Sequence, residues 1–311
     1  MSALFHQVYL STPLFVLVLL GYAVIRWGGW SKTISESLSK FVFSLALPVM
    51  LFHMMSDFSK LPPVDSRLLI AYFGSCLIVF IISRLVAWKG YRLDGVSQSV
   101  FALGGIFSNN AMLGLPLAKM MLGDKALPSV ALVLVFNSLI LWTLVTVSVE
   151  LAKTGRLTMR GFASTVTNVL KNPIVIGILL GAGWGLTGFQ LPYLVENTAS
   201  MIGNTAAPLA LIALGMGLAE FGIGGNWSQS LAVCALKLVA HPFFAWLIAW
   251  SLHLPTLETQ AIVLLSSIAT GVNVYLMSRQ FKTMEGVMAT SLLVSTLLSA
   301  VTTPLCVILS G

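Results

Sequence analysis

Ten apolar runs, each close to the roughly 20 residues an α-helix needs to cross a bilayer, constrain this chain more than any other feature. They fall at about 10–27, 38–55, 68–88, 98–121, 128–150, 172–188, 199–219, 228–251, 259–281 and 287–309. Only short polar connectors separate them. Soluble domains carry about 25% charged residues; this 311-residue chain carries 9%, is 57% hydrophobic and has a mean hydropathy of +0.94. The expectation is an all-α polytopic membrane protein. The first run has no lysine or arginine before it, so it lacks the basic start of a secretory signal and is expected to stay as a membrane helix. Cys76, Cys234 and Cys306 lie in apolar runs without metal-ligand spacing and read as small core residues. No metal and no cofactor is expected.

The two halves repeat. Pro13 and Pro173, Gly21 and Gly181, Glu36 and Glu196, and Pro48 and Pro208 are each 160 residues apart, and Lys119 and Arg279 keep that shift with like charge. Each unit holds an odd number of spans, so the second must enter the membrane from the opposite side. The expected architecture is therefore two inverted five-helix repeats, residues 1–150 and 172–311, joined by a connector at 151–171. Within the connector, Phe162, Val166, Val169 and Leu170 share one helical face, which predicts a short interfacial helix.

Basic residues set the orientation. Placing the N-terminus outside leaves twelve of the seventeen lysines and arginines in inner loops and four, Lys60, Arg67, Lys119 and Lys125, in outer ones; Lys237 lies within a span. The positive-inside rule then puts both termini outside and the connector inside, with the net charge of +7 serving orientation rather than nucleic-acid binding.

The fourth span is interrupted by Ser108-Asn109-Asn110-Ala111-Met112-Leu113-Gly114-Leu115-Pro116. Pro116 lacks an N–H and clashes with the carbonyl four residues back, and Gly114 weakens the same turn. The 160-residue shift maps Asn110 onto Thr270, inside a second interruption that runs Ser266-Ser267-Ile268-Ala269-Thr270-Gly271-Val272-Asn273. Two broken helices entering from opposite sides would cross near the midplane and present half-helix N-termini there. Asn109, Asn110 and Asn273 offer amide donors to a carboxylate, and Thr270 a hydroxyl.

Lys237 lies about nine residues into the eighth span, hence about 14 Å along it and near the bilayer centre. Two roles are open to it: a structural cation capped by carbonyls of a broken helix, or a fixed charge that helps hold an anion or replaces a coupling cation. His241, at i+4, reads as core packing ahead of proton carriage. Asn137 is either an interhelical hydrogen bond or a neighbour of the site. Pro48 and Pro208 kink their helices, as a wall to the crossover or for packing. All ten acids fall in connectors or near span ends, which argues against a carboxylate-based proton relay.

The run from Asn109 to Leu117 resembles the pattern Asn-Thr-x-x-x-Gly-x-Pro-Leu of the auxin efflux carrier family, the bacterial relatives of plant PIN proteins. Leu47-Pro48, Leu236-Lys237-Leu238 with Pro242, and Thr303-Pro304-Leu305 extend the resemblance over nearly the whole chain. It implies ten helices with the fourth and ninth broken and crossed. Spans 1, 2, 6 and 7 would form a scaffold and spans 3–5 and 8–10 a moving transport domain. It also implies a homodimer, through helices 2 and 7, and an organic-anion substrate, with malonate among those named for bacterial members. Asn109 takes the family's substrate-site asparagine position. Asn110 departs from the usual threonine. The ninth span lacks the PIN prolines, with Ala269 and Val274 in their places, although Gly271 matches. The acid and lysine of PIN helix 3 are absent.

The reading is a secondary transporter of small carboxylates in the plasma membrane, the bacterial inner membrane, with no catalytic residues. Asn109, Asn110, Thr270, Asn273 and Lys237 would hold the substrate; Gly114, Pro116 and Gly271 would break the helices. The rivals are a sodium-coupled carrier of the bile-acid-transporter type, a membrane sensor or regulatory subunit, and an intramembrane enzyme. The last would need a nucleophile–base pair such as a serine beside His241.

Overall fold

A computed structural model describes residues 2–56, 64–154, 171–220 and 225–311. The predicted interfacial helix at 162–170 lies outside them. The described residues are helical and contain no strand. Five helices are long and apolar enough to cross a membrane: α2 (Lys32–Ser56), α3 (Arg67–Gly90), α8 (Tyr193–Glu220), α9 (Trp227–Ser251) and α12 (Glu285–Leu309). With them stand α1 (Ser2–Arg26), α6 (Leu127–Thr154) and α7 (Pro173–Leu186). The spans expected at 98–121 and 259–281 are each split, so neither half reaches membrane length alone. The first becomes α4 (Gly95–Ile106) and α5 (residues 110–122), the second α10 (Thr256–Ser267) and α11 (Val272–Gln280).

Local sequence sets several helix starts. Asp94 caps α4 by accepting from Val96 and Ser97 N–H. Asn172 caps α7 with Pro173 at its first position, and Asn226 caps α9. Such caps satisfy N–H groups that no helix can satisfy for itself.

Three prolines are preceded by wider turns. π-Helical segments run Val42–Ala46 before Pro48, Asn110–Gly114 before Pro116, and Leu236–Ala240 before Pro242. A proline leaves the carbonyl four residues back without its donor. Shifting the ladder to i→i+5 lets the preceding N–H groups bond one residue further back. Pro116 and Gly114, expected at the break, therefore lie within α5; the break itself is at 107–109.

Helix α1 packs on α8, and α2 packs on α7. Glycines permit both approaches. A Cβ on Gly21 would overlap the Ile212 carbonyl, and one on Gly181 would overlap the Phe52 carbonyl. Both members of the second contact are related to those of the first by the same 160-residue shift. Elsewhere α3 packs on α4 and α9, α9 on α10 and α12, and α4 on α6, while α1 also packs on α12 and α5. Arg84 of α3 links it to α4 and α6 by donating to Ser99, Gln98 and Ser148.

Candidate functional site

The two helix breaks lie side by side and complete each other. Asn109 N–H donates to the Ala269 carbonyl at 3.0 Å, and Gly271 N–H donates to the Phe107 carbonyl at 2.8 Å, an antiparallel bridge between Ser108 and Thr270. Unpaired backbone groups are costly in hydrocarbon, and here each break supplies the other's partners. Gly271 makes the approach feasible: a Cβ there would sit 2.9 Å from the Phe107 ring and 3.1 Å from the Ser108 carbonyl.

The half-helix ends are capped from other elements. Thr270 Oγ1 donates to the Gly104 carbonyl near the end of α4 at 3.2 Å. At the end of α10, Thr303 Oγ1 donates to the Ser267 carbonyl at 3.0 Å, and Lys237 Nζ donates to the Ser266 carbonyl. Lys237 is fully buried and its Nζ also lies 3.3 Å from His241 Nδ1, while His241 Nε2 lies 3.3 Å from Cys76 Sγ. A carbonyl-terminated helix end is where a cation is favoured, since the partial charge there is negative.

Beside the crossover is a cavity of about 230 Å³. Its polar wall is Ser108, Asn109, Asn110, Asn137, Asn172 and Asn273; Phe43, Leu134, Val175 and Leu276 are among its apolar residues. Asn110 Nδ2 donates to Tyr72 Oη at 3.0 Å and to Asn137 Oδ1 at 3.3 Å. Asn110 Oδ1 and Asn109 Nδ2 are buried without a hydrogen-bond partner. Buried polar atoms are normally paired, so an unpaired donor and acceptor at one cavity mark a place for a ligand's own polar atoms. Helices α5 and α11 begin at the same cavity. Phe43, Val272 and Leu276 also line an adjoining cavity of about 340 Å³ that carries Lys32, Lys40 and Arg279 together with Glu36 and Glu220.

The structure thus brings together Asn109, Asn110, Asn273 and Gly271. It sets Thr270 and Lys237 apart from them: neither lines the cavity, because the hydroxyl and the ammonium are committed to helix-end carbonyls. Asn137, left open between two roles, both lines the cavity and bonds Asn110. Asn172 and Phe43 are additions that the sequence did not single out. Asn172 precedes a proline and reads locally as a helix cap, which it also is. Phe43 sits in an ordinary apolar run, and only the π-turn before Pro48 marks its helix face.

Residues 8–307 match a family described as membrane transport protein. The chain is 25% identical over 296 residues to a Rhizobium meliloti protein named "Putative malonate transporter", covering 94% of this chain and 92% of that one. It is 24% identical to the Escherichia coli K12 "Uncharacterized transporter YfdV", with 96% of each chain covered. "Auxin efflux carrier component 8" of Arabidopsis thaliana is 19% identical, again over 96% of each chain.

Proposed function

This chain belongs to the membrane transport protein family, which includes auxin efflux carriers, and on that premise we propose that it is a secondary carrier of small carboxylates working by alternating access around the paired breaks. The observation that carries the reading is the asparagine wall at the crossover, where Asn109 Nδ2 and Asn110 Oδ1 are buried without partners. Asn109 and Asn273 donate amide N–H bonds to the carboxylate, and Asn110, whose Nδ2 is held by Tyr72 and Asn137, offers its Oδ1 to a protonated oxygen of the substrate. Thr270 and Lys237 hold the half-helices that present it.

The proposed architecture is ten spans in two inverted repeats, 1–150 and 172–311. Its support is the 160-residue shift that relates the Gly21–Ile212 contact to Phe52–Gly181 and also relates Asn109 to Ala269. In this reading α1, α2, α7 and α8 form the scaffold, with α2 and α8 as the dimer surface, and the remaining helices move. The excess of basic residues on one side supports both termini lying outside a bacterial inner membrane. The cavity and its neighbour then face inward, since Lys32, Lys40 and Arg279 lie on the inner side. A catalytic reading has less support. Cys76 and His241 are in contact, but both are fully buried and neither lines the cavity.

The test is a reconstituted uptake screen of mono- and dicarboxylates, with and without sodium or proton gradients. Flux of at least one small carboxylate is expected. Binding without flux under every gradient would favour the sensor reading and overturn the carrier.

A further inference from the structure

We infer that the cavity takes its ligand as a single negative charge, so that a dicarboxylic acid enters as its hydrogen monoanion and the dianion is excluded. This rests on the carrier reading above and refines its substrate class.

The polar residues of the cavity are one serine and five asparagines, all neutral. Among the described residues, no lysine, arginine or histidine lines it. Lys237 directs its Nζ to the Ser266 carbonyl and to His241 Nδ1, outside the lining. Lys32, Lys40 and Arg279 belong to the adjoining cavity, where Glu36 and Glu220 accompany them. The positive potential within the cavity is therefore dipolar.

Two helices begin there, α5 at Asn110 and α11 at Val272. The first-turn N–H groups of a helix have no partner within it, and each N-terminus carries about half an elementary charge. Two such ends offer about one unit, enough to match one carboxylate. An independent observation points to a ligand at the same place: Asn109 is only 6% exposed, and its Nδ2 donor has no partner.

The rest of the lining is apolar, with Phe43, Leu134, Val175 and Leu276. A second carboxylate would face that surface without counter-charge. The electrostatic cost of stripping water from an ion grows with the square of its charge, and an unpaired buried charge is strongly disfavoured. A protonated acid, an ester or a short alkyl group meets the same wall without that cost.

The experiment compares malonate with monomethyl malonate, which stays a monoanion, on the full-length protein. Binding is measured by calorimetry, and uptake in liposomes, across the second ionisation of malonic acid. Monomethyl malonate should bind independently of pH in that range. Malonate should weaken about tenfold per pH unit above the ionisation, in step with the loss of its hydrogen monoanion. Asn273→Lys places a fixed charge in the lining and should flatten the malonate profile; if that variant does not fold, the two wild-type profiles decide. Malonate binding that stays level as pH rises, with the monoester no tighter, would overturn the single-charge inference and leave the carrier reading standing. Failure of every carboxylate to bind would overturn both.

Discussion

Asn109 donates its backbone N–H to the carbonyl of Ala269 at 3.0 Å, and the two residues stand 160 positions apart. That separation equals the spacing of the repeated prolines and glycines. The bond therefore joins two positions related by that same spacing, at the point where both helices are broken. It also separates the two ends of Asn109: the backbone closes the crossover while the side-chain donor is left for a ligand.

Asn109→Ala and Asn110→Ala should accordingly differ. Asn109 Nδ2 bonds nothing in the protein, so its loss should leave the melting temperature nearly unchanged. It should weaken carboxylate binding by about 1.5–3 kcal/mol, roughly tenfold or more. Asn110→Ala also removes the bonds to Tyr72 and Asn137 and should lower both affinity and melting temperature. Calorimetric titration alongside thermal unfolding checks the pair; equal melting losses would refute the distinction.

Gly271→Ala should force the breaks apart. Its φ of −74° suits any residue, so the cost comes from contact with the Phe107 ring and the Ser108 carbonyl. Overpacking of this kind costs about 1–3 kcal/mol. A lowered melting temperature with reduced uptake is expected, and a variant as stable as wild type would show that the crossover has slack.

Lys237→Met should destabilise more than Lys237→Gln. Both remove the charge, but glutamine can still donate to the Ser266 carbonyl, whereas methionine leaves it without the Lys237 donor. An unmet buried acceptor costs about 1–3 kcal/mol. If Lys237 acts mainly by holding the end of α10, the glutamine variant keeps most of the uptake. Uptake lost in the stable glutamine variant and partly kept in Lys237→Arg would assign the role to charge instead.

Asp94 ties stability to acid pH. The Ser97 hydroxyl, more than any other group, holds its carboxyl below the ordinary value of 3.8, with the Ser97 and Val96 N–H groups adding to it. Because the folded value is the lower one, the cap contributes fully above the unfolded value. The contribution is lost as pH falls through the folded value. Asp94→Ala should cost about 0.5–2 kcal/mol near neutrality and less in acid. Melting curves of both proteins against pH should converge at the acid end.

A cysteine introduced at Gly155, in a background lacking Cys76, Cys234 and Cys306, tests orientation. It should react with an impermeant thiol reagent in inside-out vesicles and not in intact cells. Labelling of intact cells would reverse the proposed topology.

Much of this protein was legible without coordinates. Long apolar runs with few charges allow little besides membrane helices, because the bilayer imposes one length and one backbone solution. The shift linking Asn110 to Thr270 located both interruptions. What the side chains do at those interruptions was not legible. Thr270 and Lys237 are polar residues within apolar runs, as Asn109 is, and a sequence does not show which backbone carbonyl lies opposite each one. Only packing decided that Thr270 meets Gly104, that Lys237 meets Ser266, and that the Asn109 side-chain donor meets nothing. Asn172 and Phe43 entered for the same reason: a cavity wall is assembled from helices far apart in the chain, and its members carry no common local mark. The position of the break was tertiary too, because the π-turn carried the chain past Pro116 and pairing with Ala269 and Gly271 stabilised an open backbone at 107–109.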